Sequence, residues 1–514
     1  MTESASEARP TSPGLLERAL QASFRPVDAA WLAAFRMALG TLIAVSMQRF
    51  LVYGWVDKLL VEPNFRFKYW GFEWVEPLSR ANMHLLFWVL FGLAVAMTVG
   101  LAFRLVTPLL AAGLTYIQLL DVSVYLNHYY LVALLTWLLA VSPAQRLWSV
   151  DAWISRRLRA ARAAGTLPAT GTGAPRNDGT VSAAWHYLFR AQVGIVYTFA
   201  GLAKFQTDWL LHGQPLRIWL GANTKLPILG KLFTLEEVPL IMSWCGFLFD
   251  TTIVWWLLHR KTRPWAYLVV IAFHTMTKLL FNIGMFPFIM VCAALVFFSP
   301  GWPRTLLGAL RGALRWLRSL LGREGARASA SLREALPDSG GSSRATHALR
   351  PITAWQRAAV TLGVVYCLVQ VTLPLRFLAY GGNVLWHEQG MRFSWRVMVR
   401  VKGGGTTFIV RNKETGRTWH VSPSEYLNPL QEAEMSSQPD LILQLAHHIQ
   451  RDLDQRGLGP VEVRADSHVT LNGRRSARLI DPDVDLTTIR DGLGRAHWVL
   501  PAPPQAPPRT RPVL

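Results

Sequence analysis

The chain has 514 residues and a formal net charge of +21, yet only 17% of it is charged and 51% is hydrophobic. A soluble chain carries about 25% charged residues, so this is not the composition of a soluble nucleic-acid-binding protein. No zinc finger, RNP motif or basic-aromatic groove accompanies the charge, and the arginines lie between long apolar segments.

The first 28 residues are polar and contain proline, without the apolar core of a cleavable signal peptide, and they read as a cytoplasmic tail. A bilayer core needs about 20 apolar residues per helix. Nine segments qualify, at roughly 29–52, 82–102, 105–121, 124–142, 185–204, 238–258, 265–281, 284–299 and 354–375. The expected fold is a polytopic α-helical membrane protein of about nine spans with a small C-terminal α+β domain. The 22 tryptophans suit interfacial aromatic belts.

The loops test this map. Segment 143–184 holds Arg146, Arg156, Arg157, Arg159, Arg162 and Arg176 against Asp151 and Asp178. Residues 259–264 carry Arg260, Lys261 and Arg263, residues 300–353 carry nine arginines, and Arg104 sits between the second and third segments. With nine spans and a cytoplasmic N-terminus all four fall on the cytoplasmic side, as the positive-inside rule requires. The expected location is a bacterial inner membrane, with the C-terminal domain on the outer, periplasmic face. Residues 161–184 and 322–350 read as linkers. The start of 300–353, with Leu306, Leu307, Leu310, Leu314, Trp316 and Leu317, reads as an amphipathic helix on the anionic leaflet.

The C-terminal domain spans about 381–500. Alternation over 391–401 predicts a strand, Gly403–Gly405 a turn, and 406–411 and 417–421 a hairpin around 412–416. Residues 439–455 read as a helix, and 461–471 with 475–480 as a hairpin turning at Asn472-Gly473. The Pro-rich tail, 501–514, is expected to be unstructured. Cys245, Cys292 and Cys367 lie singly in apolar runs without CxxC spacing, so neither a disulfide framework nor a metal site is expected.

Ionisable residues within apolar segments each call for a reason. Lys204 ends the fifth, His128 begins the fourth, His274 lies in the seventh, and Arg36 and Arg190 lie in the first and fifth. Each has a structural reading: a snorkelling lysine, a hydrogen-bonded interfacial histidine, a histidine tying two helices, arginines gripping carbonyls or acids. The functional reading is a site facing outward beneath the C-terminal domain. A desolvated lysine gives up its proton more readily and then serves as a general base. The residues alone leave open an acid-base enzyme or a proton-coupled carrier.

At these segments the chain resembles the vitamin K-dependent γ-glutamyl carboxylases, including bacterial members with an HTTM membrane domain. The matching strings run in family order: Leu32-Ala-Ala-Phe-Arg36, Leu126-Asn-His-Tyr-Tyr-Leu131, Trp148-Ser-Val-Asp151, Val196-Tyr-Thr-Phe-Ala-Gly-Leu-Ala-Lys204, Asp208-Trp209, Phe273-His274, Ile283-Gly-Met-Phe286, Ser299-Pro-Gly-Trp-Pro303, Phe393-Ser-Trp395 and Asp481-Pro-Asp-Val-Asp485. The resemblance implies an enzyme that uses reduced vitamin K or menaquinol with O2 and CO2. In the family, a lysine base deprotonates the naphthoquinol, and oxygen adds to give a strong base and finally the quinone epoxide. That base removes a γ-proton from a protein glutamate, and CO2 captures the carbanion. By resemblance Lys204, His128, Asn127 and His274 are catalytic, and Tyr197, Met285 and Phe286 line the quinone site. Trp395, Met398 and Arg400 lie near the glutamate. Ala203 stands where animal members often carry a second lysine, Arg400 where they carry a histidine, and Arg396 where they carry an acid. Implied partners are membrane lipid, the naphthoquinol and a glutamate-containing protein or peptide, with no nucleic acid. Two alternatives stand beside this: a quinol oxygenase that never carboxylates protein, and a non-catalytic carrier or chaperone-like partner on the same scaffold.

Overall fold

The computed structural model describes residues 14–166, 179–281, 283–320 and 353–508. The predicted linkers therefore lie largely outside the described residues, as do the first 13 residues and the last six.

All nine apolar segments are helical: α1 (Ala30–Val52), α2 (Arg80–Val99), α3 (Phe103–Leu120), α4 (Asn127–Val141), α5 (Ala183–Ala203), α6 (Val238–Leu258), α7 (Arg263–Leu280), α8 (Phe286–Ala294) and α9 (Ala354–Leu375). Among the described residues five helices are long and apolar enough to cross a membrane: α1, α2, α3, α6 and α9 with its 3-10 extension to Ala379. A bent pair, Phe286–Phe297 with Trp302–Leu317, makes six if it counts as one span. The others differ for readable reasons. Helix α4 has 15 residues, α5 carries His186, Arg190 and Gln192, and α7 carries Arg263, His274 and Lys278.

Helix α1 is apolar around its circumference and is buried along most of its length, from Ala30 to Phe50, as expected for a helix surrounded by others. Helix α9 is peripheral, with only Gln370 and Pro374 buried. It is fastened to α5 by Tyr366 Oη donating to Gln192 Oε1 at 2.6 Å, the kind of polar contact that joins helices where no hydrophobic force does.

The bent pair turns through 101°, which frees carbonyls that a continuous helix would satisfy. Arg190 collects them: Nε donates to Val296 O at 2.9 Å and Nη2 to Phe297 O and Phe298 O at 2.7 and 3.1 Å. Arg190 is thus a carbonyl-gripping arginine, one of the structural readings above. Its replacement by methionine leaves these acceptors without the guanidinium and is expected to cost about 3 kcal/mol, read as a lowered melting temperature in detergent. The helix after the bend, Trp302–Leu320, exposes Leu306, Leu310, Leu314, Trp316 and Leu317, as its amphipathic pattern predicts. The N-terminal segment is less tail-like than its composition implies. Leu15–Phe24 is helical, and Pro26–Asp28 pairs antiparallel with Thr180–Ser182.

The C-terminal domain is a four-stranded antiparallel sheet of β1 (Lys402–Asn412), β2 (Thr418–Val421), β3 (Val461–Leu471) and β4 (Ala477–Arg478), in order β2-β1-β3-β4. The helix Pro439–Gln455 lies where its periodicity places it and buries Leu441, Leu445, Ile449 and Leu453. The turn between β3 and β4 has left-handed Asn472 and Gly473, φ 51° and 80°, as the Asn-Gly pair predicts.

Two expectations fail. Residues 391–401 are not a strand: Phe393, Trp395 and Met398 have φ of 59°, 58° and 55°, which breaks an extended chain. Burial does not follow the alternation there: Ser394 and Trp395 are buried in succession, while Met391, Phe393, Val397 and Val401 are only partly buried. Nor is Gly403–Gly405 a turn; it lies in β1, where Gly404 pairs with Val469. A Cβ on Gly404 would fall 2.3 Å from His468 O, so glycine there serves close strand approach.

Buried polar clamps hold the C-terminal domain over the helices. Arg474 Nη1 and Nη2 grip Asp208 bidentately, both at 2.6 Å, and Asn472 Nδ2 donates to Asp208 Oδ2 at 2.8 Å. Gln431 Nε2 donates to Asp121 Oδ2 at 2.8 Å and to Phe65 O at 2.8 Å. The Pro-rich tail, expected to be unstructured, is instead pinned over its described residues 501–508, without regular secondary structure: Gln505 O accepts from Arg474 Nε at 2.8 Å and Pro508 O from Gln214 Nε2 at 3.2 Å.

Candidate functional site

Lys204 follows the last turn of α5, where a snorkelling lysine would reach outward. Instead it turns inward and is only 5% exposed. Its Nζ donates to Asp250 Oδ2 on α6 at 2.6 Å and to Ala200 O at 3.1 Å. The pair forms because α5 and α6 touch at Gly201. A Cβ there would fall 2.8 Å from the Thr251 backbone nitrogen. Asp250 was not singled out from the sequence, though an acid inside an otherwise apolar run, Phe247 to Trp256, is a signal of the kind used for the other residues.

The pair lines a cavity of about 420 Å³ with Tyr197, His274, Phe286 and Met398. Tyr197 lies two turns before Lys204 on α5, and its hydroxyl is 3.1 Å from His274 Nε2. Both rings are buried, and His274 Nδ1 has no hydrogen-bond partner among the described residues. Phe249 and Phe273 stack at 3.8 Å between ring centroids in the same wall.

A second cavity, of about 360 Å³, lies under the C-terminal domain and is polar. Asn127, Arg396, Met398, Arg400, Lys402, Glu388 and Glu434 line it. Met398, which lines both cavities, is the wall between them. Its left-handed backbone belongs to the irregular 391–401 segment, so the failed strand is the partition. Arg400 Nη1 pairs with Glu388 Oε1 at 2.9 Å, and Lys402 Nζ pairs with the same oxygen at 3.1 Å. Burial pulls the Lys402 ammonium down to about 8, so it stays mostly protonated at neutral pH. Arg396 lies 4.1 Å from the Phe377 ring centre, and its buried Nε has no partner among the described residues. Glu388, Glu434 and Lys402 carried no signal in the sequence, since exposed loops and short helices are full of such residues.

His128 lines neither cavity. It lies between them: its neighbour Asn127 faces the polar cavity, and Phe286, 6.2 Å away between ring centroids, faces the apolar one. Tyr125 Oη donates to Asn127 Oδ1 at 3.0 Å and accepts from Phe393 N at 2.9 Å, tying α4 to the partition. Two further expected site residues are likewise not brought to either cavity. Met285 lines a separate apolar chamber with Ile289, because side chains one position apart on a helix point about 100° apart. Trp395 is 1% exposed and stacks on Tyr130 at 5.1 Å between centroids, anchoring the partition.

Residues 24–167 and 171–302 match the HTTM domain, and residues 355–505 match the lumenal domain of vitamin K-dependent gamma-carboxylase. No solved structure matches the chain. The first match covers the helices that carry Lys204 and Asp250, and the second covers the partition and the polar cavity above it. The chain therefore belongs to the HTTM-containing vitamin K-dependent gamma-carboxylase family.

Proposed function

We propose that the protein is an integral membrane enzyme that carboxylates glutamyl side chains at the expense of a reduced naphthoquinone, O2 and CO2. The observation that carries this is the buried Lys204–Asp250 pair on the wall of an apolar cavity that shares Met398 with a polar cavity beneath the C-terminal domain. The nine-span arrangement, with that domain on the outer face of a bacterial cell membrane, goes with this reading and rests on the basic loops.

The apolar cavity suits a naphthoquinol. Aromatic walls flank it, and the polar side chains are few, Lys204, Asp250, Tyr197, His274 and Thr277 among them. A reduced naphthoquinone bound there supplies, with oxygen, a base strong enough to deprotonate a glutamate γ-carbon, which no side chain achieves. The protein's part begins with the proton shared between Lys204 Nζ and Asp250 Oδ2. With that proton on Asp250, the Nζ lone pair accepts another from a ligand hydroxyl. Tyr197 and His274 hold each other's polar atoms and fix the ring's edge. The apolar lining excludes water, which would quench any strong base.

On the other side of Met398, Arg396 and Arg400 hold a glutamyl carboxylate, with Asn127 donating beside them. His128, between the cavities, acts at carbon capture. Its replacement by alanine is expected to leave epoxide formation intact while carboxylation per epoxide falls about 100-fold. Normal carboxylation in that variant removes His128 from the mechanism.

One observation favours the second reading, a quinol oxygenase without carboxylation: Arg400 is already paired with Glu388 at 2.9 Å. The deciding experiment measures quinone-epoxide formation by the purified protein in detergent, with and without a Glu-containing peptide and labelled bicarbonate. Epoxide with label in the peptide supports carboxylation, epoxide without label supports the oxygenase, and no epoxide overturns both.

A further inference from the structure

Helix α8 separates the Lys204 cavity from another chamber. Phe286 and Met290 face the first, while Met285 and Ile289 face the second. The second chamber, of about 310 Å³, is within the size range of small-molecule sites. Most of its lining is apolar, with Met47 and Phe50 from α1 facing Ile289.

Several polar side chains interrupt that lining: Ser123 and Tyr125, whose hydroxyls are already bonded to Asp121 and Asn127, Tyr129 of α4, Ser46 on α1, Gln118 in the last turn of α3, and Glu434 from the C-terminal domain helix Pro429–Met435. Ser46 and Gln118 make no side-chain hydrogen bond to any described residue, and neither side chain is fully exposed. Glu434 commits one oxygen, Oε2, to Gln438 Nε2 at 2.7 Å and leaves Oε1 free. A mostly apolar chamber that keeps hydrogen-bonding groups available at a few points is complementary to an apolar ligand with a polar head.

The head's chemistry follows from the charges. A phosphate would meet the Glu434 carboxyl. A cation would meet the field of Arg400 and Arg392, which reaches that carboxyl. Burial holds the Glu434 carboxyl above its usual range, which suits hydrogen bonding to a neutral partner.

We propose that this chamber binds a single-chain membrane amphiphile with an uncharged hydroxyl head, its hydroxyls bonded to Glu434 Oε1 and Gln118 and its chain packed along Met47, Phe50 and Ile289. Two sources share that chemistry, a monoacylglycerol and a prenylated hydroquinone. The chamber is distinct from the Lys204 cavity, and Glu434 at its edge also lines the polar cavity.

The test uses the full chain in lipid nanodiscs under anaerobic conditions, with a monoacylglycerol carrying a diazirine in its chain. Photolabel is expected on peptides of α1 and α8 and is expected to be displaced by unlabelled monoacylglycerol. Displacement by a prenylated naphthohydroquinone as well, but not by its quinone, identifies the quinol as an occupant. Ser46→Trp fills the chamber and is expected to cut labelling about tenfold or more, the equivalent of about 1.4 kcal/mol. The milder Gln118→Leu and Glu434→Gln are each expected to cut it about fivefold, the worth of one hydrogen bond. Lys204→Ala, which alters the other cavity, is expected to leave labelling unchanged. Label confined to other peptides, label that no competitor displaces, or label indifferent to all three chamber variants overturns the proposal.

Discussion

Replacing Lys204 by alanine is expected to abolish quinone-epoxide formation, a loss of at least about a thousandfold, the scale of general-base catalysis. The residue is buried, and its Nζ lies 2.6 Å from Asp250. Lys204→Ala therefore also strands a buried carboxyl, and breaking one side of such a pair costs about 3–5 kcal/mol. A fall in activity could then reflect a fall in fold. The double variant Lys204→Met, Asp250→Asn separates the two. It removes both charges while keeping volume, so its melting temperature is expected to return toward that of the unaltered protein. Its activity is expected to stay absent. Epoxide formation by that well-folded double variant would remove the pair from the chemistry.

Asp208→Ala is expected to be the most destabilising substitution at the junction of the two domains. Asp208 accepts three short bonds, two from Arg474 and one from Asn472, and Arg474 is largely buried. Removing the carboxylate leaves a buried guanidinium without its ion pair, at about 3–5 kcal/mol. Thermal unfolding is expected to begin earlier, and limited proteolysis is expected to cut first near the β3–β4 turn at Asn472-Gly473. Arg474→Met in the same chain is expected to recover part of the loss, because the uncompensated charge goes with it. If Asp208→Ala alone melts like the unaltered protein, the clamp is not what seats the domain.

Much of the architecture was legible in the residues, and the reason differs by element. The membrane helices were legible because length and hydropathy are local properties, and all nine apolar segments are helical. Which of them meet the length and hydropathy of a crossing was less legible. Polar groups such as Arg190 and His274 lower a segment's hydropathy without saying whether neighbours satisfy them. In the C-terminal domain, Pro439–Gln455 and the Asn472-Gly473 turn follow from periodicity and turn chemistry. The 391–401 segment was misread because alternation of residue types does not by itself specify extended backbone, which left-handed Phe393, Trp395 and Met398 interrupt.

The candidate site divides in the same way. Lys204 and His274 stood out as ionisable residues in apolar segments, Tyr197 and Phe286 through the family resemblance, and all four line one cavity. Asp250, the partner that turns Lys204 inward, comes from a helix about 46 positions away, and no local pattern links the two. Met285 and Trp395 belong to matching strings, yet a helix turns one away and a stacking contact buries the other.

By itself, then, the sequence determined the kind of molecule: an apolar, arginine-looped chain with helices of membrane length, a small sheet domain and a short set of ionisable residues where they are costly. Those are consequences of solvation, which each residue carries with it along the chain. Only the tertiary structure decided which of those residues meet. The close pass of α5 and α6 at Gly201, the partition at Met398 and the clamp at Asp208 each depend on surfaces distant in sequence. Packing of that kind is set by shape between whole elements, and no single segment encodes it.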